Sequence, residues 1–69
     1  MREAGRIMEE ILKYLGKRGS VNKEDIKYRF RLEKEKNERI LKFLLDLKLI
    51  EIKNERIKIT ESGIEFLRL

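Results

Sequence analysis

Residues Leu32 to Thr60, LEKEKNERILKFLLDLKLIEIKNERIKIT, decide the fold: a long helical pattern followed by two short alternating runs. Reading Leu49–Lys53 and Arg56–Thr60 as strands joined by Asn54-Glu55 sets Ile52 opposite Ile57, Ile50 opposite Ile59 and Glu51 opposite Lys58. One face of this hairpin is then entirely isoleucine and must be covered. The other face carries the Glu51–Lys58 pair and, at the tip, Lys53 beside Arg56. Like charges placed cross-strand repel unless they are solvated or given an anion.

Working back from the hairpin, the pattern predicts a helix from about Glu33 to Leu47, with Ile40, Phe43, Leu44 and Leu47 on its core side. Leu41 and Leu45 widen that apolar arc, and Glu35, Glu38, Arg39, Lys42 and Asp46 lie opposite. Upstream, Asn22 reads as an N-cap before acids in a first turn, with Val21 placed to staple onto Ile26. A short helix follows whose core contacts are Ile26 and Phe30, and a tight turn falls near Arg31-Leu32. Between Arg2 and Leu15, Ala4, Ile7, Met8, Ile11, Leu12 and Leu15 recur at steps of three and four and define a first amphipathic helix. Gly16 or Gly19 supplies its left-handed end. Downstream, Thr60 caps a last short helix in which Ile64, Phe66 and Leu67 fold back on the core. Ser20-Val21 is positioned to add a third strand. The expected class is α+β, one domain over residues 1–69.

Composition limits the functions open to such a chain. Sixty-nine residues lie near the lower limit for a core that forms without disulfides, metal or a partner, and with no Cys neither disulfides nor thiolate metal sites can help. Nine Ile and ten Leu against three Phe, two Tyr and no Trp make the core aliphatic. Charged residues reach 45%, with Lys and Glu interleaved and no Gln, a pattern associated with hyperthermophiles. The net charge of +5 favours a polyanionic partner. No run approaches the roughly 20 apolar residues of a membrane span and no signal-peptide core is present, so the expectation is a cytoplasmic protein. With no His, Cys or glycine-rich phosphate loop, an enzyme, a cofactor or a small-molecule ligand is not expected.

Helix, short helix, longer helix, hairpin and closing helix, in this order, resemble the winged helix-turn-helix family over almost the whole chain. The sharpest local likeness is Leu44-Leu45-Asp46-Leu47-Lys48-Leu49-Ile50 followed by Ile57-Lys58-Ile59-Thr60-Glu61-Ser62-Gly63. It is similar to the leucine-isoleucine, strand, isoleucine-threonine-x-x-glycine signature of small archaeal winged-helix regulators and chromatin proteins. The resemblance implies double-stranded DNA as partner, transcription regulation as role, and contacts from the start and outer face of the third helix. Those positions carry Lys34, Lys36, Asn37, Arg39 and Lys42 among Glu33, Glu35 and Glu38. The chain departs from the family at Lys48, where a glycine usually ends the recognition helix, and in this density of carboxylates, whose productive use on DNA is chiefly accepting from cytosine.

The residues themselves add two sets of candidates. Lys53, Asn54 and Arg56 at the hairpin tip read as a wing touching phosphates, and Lys27, Arg29 and Arg31, with Lys23, as phosphate-positioning groups around the second helix. Of the third-helix residues, Arg39 suits guanine and Asn37 adenine. Leu41, Leu45, Leu69 and the Met1–Met8 end offer more apolar surface than one small core buries easily, which points to a homodimer. Winged helices often pair through their first and last helices, here Met1, Ala4, Met8, Ile64, Leu67 and Leu69. The competing reading is a protein-interaction adaptor or dimerisation module that does not bind DNA specifically.

Overall fold

The computed structural model describes residues 2–69, with side-chain surroundings from residue 5 onward; Met1, and the side chain of Ala4, lie outside the described residues. The order is α1 (Arg2–Arg18), β1 (Ser20–Asn22), α2 (Lys23–Arg29), α3 (Lys34–Asp46), β2 (Ile50–Lys53), β3 (Arg56–Ile59) and α4 (Glu61–Arg68). The three strands form one antiparallel sheet in the order β1-β3-β2. Its hairpin register is the expected one: Ile50 faces Ile59, Glu51 faces Lys58, Ile52 faces Ile57 and Lys53 faces Arg56. A two-residue loop fixes that register, and Asn54 and Glu55 both take the positive φ (52° and 69°) that such a turn requires. The third strand forms as well, with Val21 opposite Ile57.

Helix ends explain how so short a chain turns so often. Helix α1 runs past Gly16 and stops at Gly19, whose φ of +87° is the left-handed conformation. A helix-interior glycine costs only about 1 kcal/mol, too little to end a helix whose stripe is packed. Helix α2 begins as expected, with Asn22 Oδ1 accepting from the Glu24 amide at 2.9 Å. Its other end and that of α3 are built alike. Arg31 (φ 54°) and Lys48 (φ 62°) are left-handed, and the next residue's amide returns to the carbonyl five back, Leu32 to Lys27 at 2.9 Å and Leu49 to Leu44 at 3.0 Å. This is the Schellman arrangement, with buried Leu32 and Leu49 closing it. Lys48 therefore performs the turn that a glycine makes elsewhere, at a conformational cost of about 1 kcal/mol.

The threonine-x-x-glycine motif is a joint. Thr60 Oγ1 accepts from the Gly63 amide at 3.0 Å and donates to the Lys48 carbonyl at 2.7 Å, so one hydroxyl caps α4 and ties it to the exit of α3. Gly63 is buried, and a Cβ there would run into the Leu49 carbonyl oxygen and the Ile59 side chain.

The core comprises Ile11, Leu12 and Leu15 of α1, Val21, Ile26, Leu32, Ile40, Leu41 and Leu44, with Leu49, Ile50 and Ile57. Five residues depart from expectation. Phe43 and Leu47, assigned to the core, are each 50% exposed, whereas Leu41, assigned to surplus surface, is buried. The buried stripe of α3 is Asn37, Ile40, Leu41 and Leu44, and Phe43 and Leu47 lie on its flank at a rotation of roughly 100°. In α4 it is Gly63 and Leu67 that turn inward, while Ile64 and Phe66 stay largely exposed on either side.

Candidate functional site

The sequence-derived candidates fall on three elements: α3, the outer face of the sheet, and α2. With about 100° per residue, the side of α3 opposite its core stripe holds Glu35, Arg39, Lys42 and Asp46. All four are exposed, and Lys42 Nζ lies 3.5 Å from an Asp46 carboxylate oxygen. Two cations and two acids leave that stripe without net charge. Arg39 has no ion pair among the described residues. Lys34, the first helical residue, and Lys36 are exposed too, Lys36 on the flank shared with Phe43 and Leu47.

Asn37 is not part of any contact surface, contrary to the expectation of adenine recognition. It is 4% exposed, in line with Ile40, Leu41 and Leu44, and its Oδ1 has no hydrogen-bond partner. The same spacing that makes those leucines and isoleucine core residues turns Asn37 inward with them.

The wing is more basic than its tip alone suggested. The pairing places Ser20, Lys58 and Glu51 in one row across the sheet and Asn22, Arg56 and Lys53 in the next. Ser20, Glu51, Lys53, Asn54, Arg56 and Lys58 line a shallow depression there. Lys58 was read only as the partner of Glu51, although the hairpin register alone already sets it on the face of Lys53 and Arg56. Arg56 also behaves differently from expectation. Its Nε donates to Ser20 Oγ at 3.2 Å and a terminal nitrogen donates to the Ser20 carbonyl at 3.0 Å. The guanidinium is thus drawn away toward β1, and its proximity to Lys53 no longer requires an anion. The turn itself is anchored by the Lys23 amide donating to the Glu55 carbonyl at 3.0 Å.

Helix α2 divides its cations. Lys23 joins Glu38, Leu41, Lys42, Leu45 and Ile52 around a groove between α2, α3 and β2. Lys27 follows Lys23 by one turn, partly buried, with its Nζ 5.6 Å from the Tyr28 ring centroid. Arg29 lies elsewhere: its guanidinium carbon sits 4.4 Å from the ring centroid of Tyr14, on the α1 side. It does not join the cations of α3 and the wing. Arg31 is exposed in the turn between α2 and α3.

Of the residues assigned to a dimer contact, Ile64 and Leu69 are exposed at 41% and 102%, whereas Met8 and Leu67 are partly buried against the core of the same chain. Phe66, at 46%, adds to the exposed apolar surface of α4. No helix among the described residues is long and apolar enough to cross a membrane.

Comparison with known proteins gives one positive result. The winged helix-turn-helix family model matches residues 1–69. No curated protein and no solved structure matches the chain significantly. The family match covers the whole sequence, and the helices, three-stranded sheet and Thr60–Gly63 joint agree with it. The chain belongs to the winged helix-turn-helix family, whose members are in general DNA-binding domains.

Proposed function

We propose that this protein is a transcriptional regulator that binds double-stranded DNA as a homodimer, with α3 in the major groove and the outer face of the wing on the phosphate backbone. The observation that carries the reading is the charge of the sheet's outer face, where Lys53, Arg56 and Lys58 accompany a single acid, Glu51. Lys23 and Lys42 add two cations, beside Glu38, at the separate groove between α2, α3 and β2. Cations so arranged fix a protein on DNA without reading sequence; the near-neutral stripe of α3 is left to discriminate between bases, chiefly through Arg39. The exposed apolar side chains of α4, Ile64, Phe66 and Leu69, supply the dimer contact together with the N-terminal part of α1. Its place of action is the cytoplasm.

A salt-titrated binding curve on mixed-sequence duplex tests this. With roughly four to six phosphates neutralised per protomer, log affinity falls against log salt with a slope of about −4 to −5. Light scattering tests the dimer, which a concentration-independent monomer mass contradicts. A second reading, an adaptor that binds protein, is favoured by Phe43 and Leu47, two apolar side chains half exposed on one flank of α3. A flat salt response on DNA together with capture of a protein partner through that flank would decide for it.

A further inference from the structure

The strongest charged cluster outside the α3 and wing surface lies where α1 meets α2. Tyr14 is its centre. The Arg29 guanidinium lies 4.4 Å and that of Arg18 5.5 Å from the ring centroid, and Phe30 meets the ring edge-on at 6.0 Å. The Tyr14 hydroxyl donates to Asp25 at 2.5 Å. That bond is the first cause of a phenol pKa raised above its ordinary value, with burial second; the ring face attracts the two cations through its quadrupole.

The cluster carries more positive charge than negative, Lys17, Arg18 and Arg29 against Asp25. One oxygen of its nearest carboxylate, Asp25, is taken by the tyrosine, and among the described residues neither Arg18, Arg29 nor Lys17 has an acid within ion-pair distance. Lys13, by contrast, sits 3.8 Å from Glu10 and 4.0 Å from Glu9. Stacking on an aromatic face holds a guanidinium in place and leaves its N–H edge free, the geometry that suits a phosphate bidentately. The adjoining groove, lined by Glu10, Lys13, Tyr14, Lys17, Arg29 and Phe30, encloses about 190 Å³. That is below the roughly 300–1,000 Å³ of a site for a whole small molecule, and fits a group on a chain better.

Position separates this cluster from the first surface. On α2, Asp25 and Arg29 point to one side of the core-facing Ile26, and Lys23 and Lys27 to the other, at roughly 160° of rotation. Lys23 faces the groove beside α3, whereas Arg29 faces Tyr14 of α1. A straight duplex seated on α3 and the wing does not reach both sides of α2.

We infer that the α1–α2 groove, through Lys17, Arg18 and Arg29 around Tyr14, binds the phosphodiester backbone of a second DNA segment. The inference rests on the DNA-binding reading above, which supplies the class of ligand. A domain with two such faces holds two segments together.

Backbone amide NMR of the full chain, titrated with a short mixed-sequence duplex, tests it. Two phases of shifts are expected: first the amides of α3 and the wing, then those of Lys13–Arg18 and Arg29. Lys17→Gln/Arg18→Gln, both exposed and without hydrogen bonds among the described residues, should leave the first phase intact and lower the magnitude of the salt slope of the second by about two. Lys42→Gln/Lys53→Gln should weaken the first phase and spare the second. Shifts confined to α3 and the wing overturn the inference while leaving the DNA-binding reading in place. So do α1–α2 shifts that a poly-glutamate peptide produces more strongly than DNA, which would assign the groove to an acidic protein. If neither group of amides responds to DNA, the DNA-binding reading fails and the inference with it.

Discussion

The outer face of the sheet and the outer stripe of α3 carry similar residue types with opposite bookkeeping. The sheet face sets three cations against Glu51, and one of them, Arg56, is held by two hydrogen bonds to Ser20. The stripe of α3 sets Arg39 and Lys42 against Glu35 and Asp46, with Lys42 already beside Asp46. A surface with surplus charge attracts any phosphate backbone. One whose charges cancel gains little from phosphates, and binds well only where its donors and acceptors match base edges. On the proposed DNA-binding reading, the contrast gives affinity to the wing and discrimination to α3.

The largest expected effect comes from breaking the joint that holds the two surfaces in relation. Gly63→Ala forces a methyl group against the Leu49 carbonyl and Ile59, at a cost of about 2–3 kcal/mol. For a domain of this size that lowers the thermal midpoint by roughly 10–20 °C, measurable by circular dichroism. A midpoint unchanged within about 2 °C would mean that α4 moves away easily and that the joint does not fix the geometry.

Arg39→Ala sharpens the comparison directly. On a selected DNA site it should cost about 1–3 kcal/mol in affinity, and on scrambled sequence almost nothing. Equal losses on both would make Arg39 a phosphate contact and remove the distinction between the surfaces.

Asn37→Leu tests where the α3 surface ends. Its buried Oδ1 lacks a partner, so an apolar replacement should stabilise the fold by about 1 kcal/mol in denaturant unfolding and leave DNA affinity unchanged. Loss of binding without loss of stability would return Asn37 to the interface.

The hairpin was legible from sequence because a two-residue loop and strict alternation permit a single register. The Asn22 and Thr60 caps were legible because their side chains act on amides two and three residues away. Asn37 was misread although its spacing from Ile40, Leu41 and Leu44 is that of a core residue; its polar chemistry was given more weight than its position. Phe43 and Leu47 erred in the other direction, since an apolar residue type does not reveal how wide an arc of a helix its neighbours can cover. Arg56 depended on β1, a three-residue strand distant in sequence, whose pairing alone places Ser20 within reach of the guanidinium. Arg29 followed the same rule, its partner Tyr14 lying on another helix.

The division of labour is tested most directly by the salt dependence of DNA affinity for Lys53→Ala beside Arg39→Ala, each on a selected site and on scrambled duplex. Lys53 is exposed and has neither an ion pair nor a side-chain hydrogen bond among the described residues, so its removal should not disturb the sheet as loss of the Arg56–Ser20 bonds would. The account predicts that Lys53→Ala weakens binding to both duplexes alike and lowers the magnitude of the salt slope by about one, while Arg39→Ala leaves the slope unchanged and weakens only the selected site. A slope lowered by Arg39→Ala and untouched by Lys53→Ala would contradict it.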